Sequence, residues 1–158
     1  MDDLSPTAAQ FCILCVDPDR QWLNIMKREL SAAGIREVLD DIDPKEALIT
    51  IREENPDLLI TNHNIKLVHF IRHGSASPNR KLPVIMVTAQ LSEDDVTDMR
   101  DAGVNEIVAK PCSIAQLLKR IETIASRPRE FVETDTFVGP TRRRKQNPIS
   151  GPDRRGTD

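Results

Sequence analysis

The sequence predicts an α/β protein: one five-stranded, parallel, doubly wound sheet with helices on both faces, followed by a mostly irregular C-terminal tail. Three observations predict it. Short apolar runs alternate with amphipathic stretches five times between residues 11 and 126. Such alternation requires crossover connections, and crossovers give parallel sheets covered on both faces. After Arg127-Pro128 the helical periodicity stops and the composition turns basic. The chain therefore divides into a stretch over 1–10 that is expected to be flexible, a folded domain over 11–126, and a basic Arg/Gly/Pro-rich tail over 127–158.

Phe11 to Val16 is an apolar run of strand length. Asp19 to Ala33 follows with Trp22, Ile25, Met26 and Leu30 at helical spacing, and Gly34 stands as its C-terminal stop. Arg36 to Asp41 is a short second strand. Asp43-Pro44 opens the next helix, with a carboxylate to cap it and Pro in its first turn. Ala47, Leu48 and Ile51 give that helix its apolar face, and Asn55-Pro56 breaks it. Asp57 to Thr61 is the third strand, and Ile65 to His73 a short helix. Gly, Ser, Pro and Asn cluster in a loop over Gly74 to Lys81. Pro83 to Thr88 is the fourth strand. Ser92, with Asp95 three residues on, caps a helix that runs to Ala102 and stops at Gly103. Glu106 to Ala109 is the fifth strand, and Ser113 with Gln116 forms a capping box for a last helix to about Ala125. Within the sheet, Ile13, Leu59, Ile60, Ile85, Val87 and Ile107 are expected to be buried, since parallel strands are covered on both faces.

A chain of 158 residues suits one domain and an appendage. No apolar run approaches the roughly 18 residues of a membrane-spanning helix, and Met1 to Gln10 lacks the charge and apolar stretch of a signal peptide. A cytoplasmic protein is expected. The net charge of −3 is unevenly placed: residues 127–158 hold 8 Lys+Arg against 5 Asp+Glu, leaving 14 against 20 in residues 1–126. An acidic domain with a basic tail points the tail toward an anionic partner. Cys12 and Cys15 have a CxxC spacing, but inside a strand residues three apart face opposite ways, so they are expected to pack rather than chelate or cross-link. His69 and His73 share a helix face, yet with no further ligand nearby in sequence they are expected to lie on a solvated surface, as is His63. No metal site is expected.

In an open parallel sheet, ligands gather beyond the carboxyl ends of the strands. Asp17, Pro18 and Asp19 stand there after the first strand, Asn62, His63 and Asn64 after the third, Thr88 and Ala89 at the fourth, and Lys110-Pro111 at the fifth. These residues, together with Pro56-Asp57-Leu58-Leu59-Ile60-Thr61, Val87-Thr88-Ala89, Ala102-Gly103-Val104 and Ala109-Lys110-Pro111, resemble the receiver domain of two-component response regulators, the CheY-like, flavodoxin-like fold. The spacings agree, with 45 residues from Asp17 to Asn62 and 22 from Thr88 to Lys110.

What the resemblance implies for the site is mixed. A receiver uses a carboxylate nucleophile, two further acids around Mg²⁺, and a Lys and a Ser/Thr hydroxyl on the phosphoryl oxygens. Thr88 and Lys110 match, and Asp17 matches one acid. Pro18 stands where the second acid belongs, with Asp19 displaced by one and equally able to cap the following helix. The phosphoacceptor position is Asn62, and an amide is not that kind of nucleophile. The loop to the third helix is shorter than usual, and Ile107 replaces the aromatic that moves with the Thr. A pseudo-receiver is expected: no enzyme activity, no aspartyl phosphorylation, no Mg²⁺. In such a pocket Lys110 pairs with Asp17 and Thr88 satisfies local backbone groups.

The tail carries a near-repeat. Gly139-Pro140-Thr141-Arg142-Arg143-Arg144 recurs twelve residues on as Gly151-Pro152-Asp153-Arg154-Arg155. Gly-Pro fixes a turn that presents the following arginines together. The charge excess is thin for nucleic acid and lacks a stacking series, and there is no apolar anchor for lipid. A guanidinium fork does suit guanine O6 and N7, and it stacks on the base. With Phe131-Val132, Thr134 and Phe137 ahead of it, this tail is similar to those of the CheY-like cyclic-di-GMP effectors of alphaproteobacteria. That resemblance implies cyclic-di-GMP as the ligand, held by Arg142, Arg143, Arg144, Asp153, Arg154 and Arg155, and a protein partner in signalling, the flagellar motor included. The alternative is a constitutive interaction module whose tail is a docking peptide without a nucleotide.

Overall fold

A computed structural model describes residues 4–141, and within them strands and helices alternate as the periodicity requires. The elements are α1 (Pro6–Ala9), β1 (Cys12–Val16), α2 (Arg20–Ala32), β2 (Glu37–Asp41), α3 (Pro44–Glu54), β3 (Leu58–Thr61), α4 (Ile65–His73), β4 (Val84–Thr88), α5 (Glu93–Ala102), β5 (Glu106–Ala109), α6 (Ile114–Ser126), β6 (Phe131–Glu133) and β7 (Val138–Pro140). The first five strands form one parallel sheet in the order β2-β1-β3-β4-β5. The chain reverses its direction of travel across the sheet at β1, so a crevice opens between the carboxyl ends of β1 and β3.

Alternation along the strands sorts the core into two layers. Ile13, Cys15, Leu58, Ile60, Ile85 and Val87 pack with Leu23 and Leu30 of α2 and with Leu117 and Ile121 of α6. Leu14, Val16, Leu59, Val84 and Met86 face the other way, onto Ile51 of α3, Val68 and Ile71 of α4, and Met99 of α5. Both faces are thus covered, which is why the strands read as unbroken apolar runs. Ile107 departs from expectation: it is only partly buried, because β5 is an edge strand. The predicted caps form, with Asp19, Asp43, Ser92 and Ser113 each accepting a backbone N–H of the first turn. Ser92 with Asp95 and Ser113 with Gln116 complete reciprocal capping boxes.

One segment departs from the sequence reading and another adds to it. The stretch over 1–10 was expected to be flexible, but from residue 4 onward it is built into the domain. Ser5 caps α1 with Pro6 in its first turn, Ser5 also hydrogen-bonds Glu122 of α6, and Ala8 is fully buried. A Ser-Pro pair is a helix start even for one turn. The tail, expected to be mostly irregular, begins with order. Strands β6 and β7 pair antiparallel, with Phe131 opposite Pro140 and Glu133 opposite Val138. Thr134 closes the hairpin through hydrogen bonds with Phe137.

The hairpin docks where the strands begin, at the end of the sheet opposite the crevice. Its cradle is Arg72 of α4, fully buried, whose guanidinium donates to the carbonyls of Gly103 and Arg80 and to Asn105 Oδ1. The same guanidinium lies 5.5 Å from the Phe131 ring centroid. Burial lowers the Arg72 pKa to about 10. Gly103 has φ +102°, and a Cβ there would fall 2.8 Å from Val138 O and 2.9 Å from Arg72 Cγ. Two backbones meet at this point, since a Cβ on Gly139 would lie 2.8 Å from Gly103 Cα.

Candidate functional site

Each strand-end residue is carried one step past its strand by a backbone hydrogen bond that extends the ladder. Asp17 N–H reaches Asp41 O at 3.2 Å, Asn62 N–H reaches Val16 O at 3.1 Å, and Lys110 N–H reaches Thr88 O at 2.9 Å. Asp17, Asn62, Thr88 and Lys110 are thereby set along one edge of the sheet. Asp17 is 2% exposed. Its Oδ2 takes Lys110 Nζ at 3.1 Å and its Oδ1 takes the Asp19 N–H at 2.8 Å. Lys110 also lies 4.8 Å from the centroid of the Trp22 ring, so its charge meets a carboxylate and an aromatic face together. Asp19 does not join them: its carboxylate accepts the N–H groups of Gln21 at 3.0 Å and Trp22 at 3.2 Å as the cap of α2.

Thr88 is buried and engaged twice. Its Oγ accepts the Gln90 N–H at 2.9 Å and exchanges a hydrogen bond with His63 Nδ1 at 3.1 Å. Asn62 Oδ1 accepts from Thr61 Oγ1 at 3.3 Å, and Asn64 caps α4 through the Leu67 N–H. The structure thus brings Asp17 to Lys110 and Thr88 to His63, while Asp19 turns into a helix cap. Sequence reasoning missed two partners. It set His63 at the end of the third strand beside Asn62 but did not pair it with Thr88. Trp22, read only as a core position of α2, is also the aromatic floor under Lys110.

A hard divalent cation needs several oxygen ligands. Here it meets one carboxylate already held by Lys110, a neutral amide at Asn62, and a second carboxylate committed to two backbone N–H groups. This donor set does not suit Mg²⁺. Among the described residues, no group of three or more His, Cys, Asp and Glu could hold a metal ion. His69 and His73 do share a face of α4, with ring centroids 4.5 Å apart. Cys12 and Cys15 are buried free thiols, and Cys15 packs in the layer of Ile13 while Leu14 and Val16 face the other layer. Burial pushes their thiols up, Cys12 to about 11 and Cys15 to about 12, so neither is a ready nucleophile or metal ligand. Among the described residues no helix is long and apolar enough to cross a membrane. The tail residues assigned to a dinucleotide, Arg142, Arg143, Arg144, Asp153, Arg154 and Arg155, lie outside the described residues.

Comparison with known proteins gives the same frame. Residues 13–122 match the family model of the response regulator receiver domain. The chain is 33% identical over 119 residues to the chemotaxis protein CheY of Pseudomonas aeruginosa, covering 73% of this chain and 96% of that protein. It is 28% identical over 117 residues to the transcriptional regulatory protein PrrA of Mycobacterium tuberculosis, covering 73% of this chain and 50% of PrrA. The chain thus spans about half the length of the PrrA proteins it matches. Among solved structures, CheY4 of Vibrio cholerae superposes with a TM-score of 0.66 at 23% identity, covering 73% of this chain and 98% of that one. A response regulator from Thermotoga maritima gives 0.64 at 24%, covering 74% and 98%.

Proposed function

Since this chain belongs to the response regulator receiver domain family, we propose that it is a signalling protein that works without aspartyl phosphorylation, and that its arginine-rich tail binds cyclic-di-GMP to control a protein–protein contact. The flagellar motor is the destination that the tail's resemblance suggests. The observation that carries the first half is Asn62, which stands one residue past β3, between Asp17 and Thr88 on the strand-end edge. An amide neither attacks phosphorus nor contributes charge to a cation. The groups that would serve a phosphoryl group already have partners: Lys110 is on Asp17, and Thr88 is on His63 and Gln90.

The second half is supported by the duplicated Gly-Pro-x-Arg-Arg in the tail and by its resemblance to the cyclic-di-GMP effectors. A ligand with two identical guanines suits two copies of a turn that presents paired guanidinium forks. A good bidentate contact contributes about 1–3 kcal/mol, so one Arg→Ala change among Arg142, Arg143, Arg154 and Arg155 is expected to weaken binding roughly 5- to 150-fold.

Two measurements test the reading. Incubation of the purified chain with acetyl phosphate and Mg²⁺ is expected to leave it unlabelled, and a phosphoaspartate at Asp17 or Asp19 would remove the first half. Calorimetry with cyclic-di-GMP is expected to show binding by the full chain and none by a chain ending at Thr141, a cut that keeps β7 whole. Equal binding by both would mean that the tail is not the site. If neither binds at micromolar ligand while the tail still captures a protein, the constitutive interaction module replaces the effector.

A further inference from the structure

We propose that His69 and His73 on α4 form half of a zinc site and that a second copy of this chain supplies the other half, so that one Zn²⁺ joins two domains across their α4 helices.

The two histidines stand four apart on a helix of nine residues, so they share one face on successive turns. Both are exposed, and their rings stack with centroids 4.5 Å apart. Exposed side chains change rotamer rapidly, so the stack opens readily to bring a nitrogen of each ring to one ion. Two imidazoles at this spacing on one helix face are a zinc-binding arrangement, with each nitrogen about 2.0–2.1 Å from the metal.

The coordination number selects the partner. Zn²⁺ takes four ligands in a tetrahedron. The pair on α4 offers two, and among the described residues no third His, Cys, Asp or Glu joins them in a group that could hold a metal. The chain has three histidines, and the third, His63, is on Thr88. A two-fold dimer sets the same residues on both sides of its axis, so an ion on that axis receives His69 and His73 from each copy.

The surroundings suit a close approach. The pair borders a shallow groove of about 430 Å³, lined also by Ile65, Lys66, Phe70 and Gly74. Phe70 is 37% exposed, and no other Phe or Trp among the described residues is as open. Its ring lies against Gly74, where a Cβ would fall 3.0 Å from ring atoms Cδ2 and Cε2. Lys66 can lay its stem along this surface and keep its ammonium in water. Six lining residues are few beside the roughly 20–30 a side of a standard interface, so apolar contact alone does not hold the copies and the ion decides. Helix α4 covers the sheet face opposite α2 and α6, which such a dimer leaves open.

The test is sedimentation velocity of the full chain at micromolar concentration, in EDTA and with ZnCl₂ as the added metal. A monomer is expected in EDTA and a dimer at half an equivalent of zinc. Excess zinc is expected to reverse the dimer, since each chain then takes its own ion. His69→Gln and His73→Gln are each expected to weaken zinc-driven dimerisation roughly tenfold or more. Both residues are exposed, so the variants keep the core, and a thermal melt in EDTA checks this. On the unmodified chain, zinc is expected to shift the ring signals of His69 and His73 and to leave those of His63 in place, a readout that needs no substitution. A chain that stays monomeric at half an equivalent, or that binds zinc without pairing, would overturn the proposal. So would a dimer in EDTA. A zinc-driven dimer that persists in the His69→Gln/His73→Gln double variant would also overturn it and would point to Cys112, the free cysteine that is not buried.

Discussion

Thr88 shows how one side chain settles a pocket's chemistry. In a working receiver its hydroxyl is kept for a phosphoryl oxygen, whereas here it hydrogen-bonds His63 and the Gln90 backbone. Restoring the acceptor alone is therefore expected to achieve little. Asn62→Asp should remain nearly unlabelled by acetyl phosphate and Mg²⁺, because Pro18 still replaces an acid and Ile107 still replaces the mobile aromatic; phosphate bound by this variant at wild-type receiver levels would refute that. A second residue-scale expectation concerns acid. Burial first, then His69, Arg80 and Arg72, hold the His73 imidazole below its ordinary value of 6.5. The unfolded chain takes that proton more readily than the native one, so this group's support for the fold is present above pH 6.5 and lost as pH falls below it toward the native value. Urea unfolding at pH 7.5 and 5.5 is expected to show a smaller pH difference for His73→Gln than for the unmodified chain. Much at this scale was legible: Asp17 and Lys110 were set at strand ends, and the receiver resemblance led to their pairing. The pairing of His63 with Thr88 was not, because it depends on the third strand's end lying beside the fourth's, which a strand-end position alone does not give.

At the scale of elements, β4 is interior to the sheet, between β3 and β5, and Ile85 is fully buried on it. Ile85→Ala is expected to cost about 2–5 kcal/mol in urea unfolding, through lost burial and the cavity left behind. A loss under about 0.5 kcal/mol would contradict the packing described for β4. The turn into β5 makes a different demand. Gly103 combines a positive φ with neighbours so close that an added Cβ would fall 2.8 Å from Val138 O and 2.9 Å from Arg72 Cγ and Nε, well inside van der Waals contact. Gly103→Ala is expected to cost about 1–3 kcal/mol from the backbone conformation alone, with further loss where the added methyl meets Val138 O. The same urea experiment reads it. Helices α2 to α6 were legible because capping residues and 3.6-residue stripes mark them, whereas the single turn of α1 was not. The hairpin of β6 and β7 was not, because three-residue strands carry too little periodicity to be seen. What orders them is tertiary: Arg72 and Lys81 beneath the Phe131 ring, the Arg80–Glu133 ion pair, and the close meeting of Gly139 with Gly103.

Across the whole molecule the two ends of the parallel sheet have separate occupations. The carboxyl ends hold the receiver crevice, with Asp17 on Lys110, and the amino ends hold the hairpin. Removing residues 142–158 is therefore expected to leave the melting temperature within a few degrees of the full chain, since β7 ends at Pro140 and Thr141 already closes onto Glu130 O at 2.7 Å. Removing everything after Ser126 is expected to lower it clearly, because Arg72 then loses the aromatic and backbone that cover it, and differential scanning calorimetry of both truncations decides. The fold class came through from the sequence because local signals and global topology agree along 11–126. The docked root of the tail did not, because it depends on which end of the sheet the last helix returns to. Thr7 of α1 and Pro140 of β7 line a common cleft of about 350 Å³, which Asn105, Glu106 and Arg129 also line. A bulky label on α1, at Thr7 for instance, would stand on that rim and crowd whatever binds there. A label on the exposed side of α3, at Glu53 for instance, sits beside β1 and β2 at the other edge of the sheet and reports binding without obstructing it.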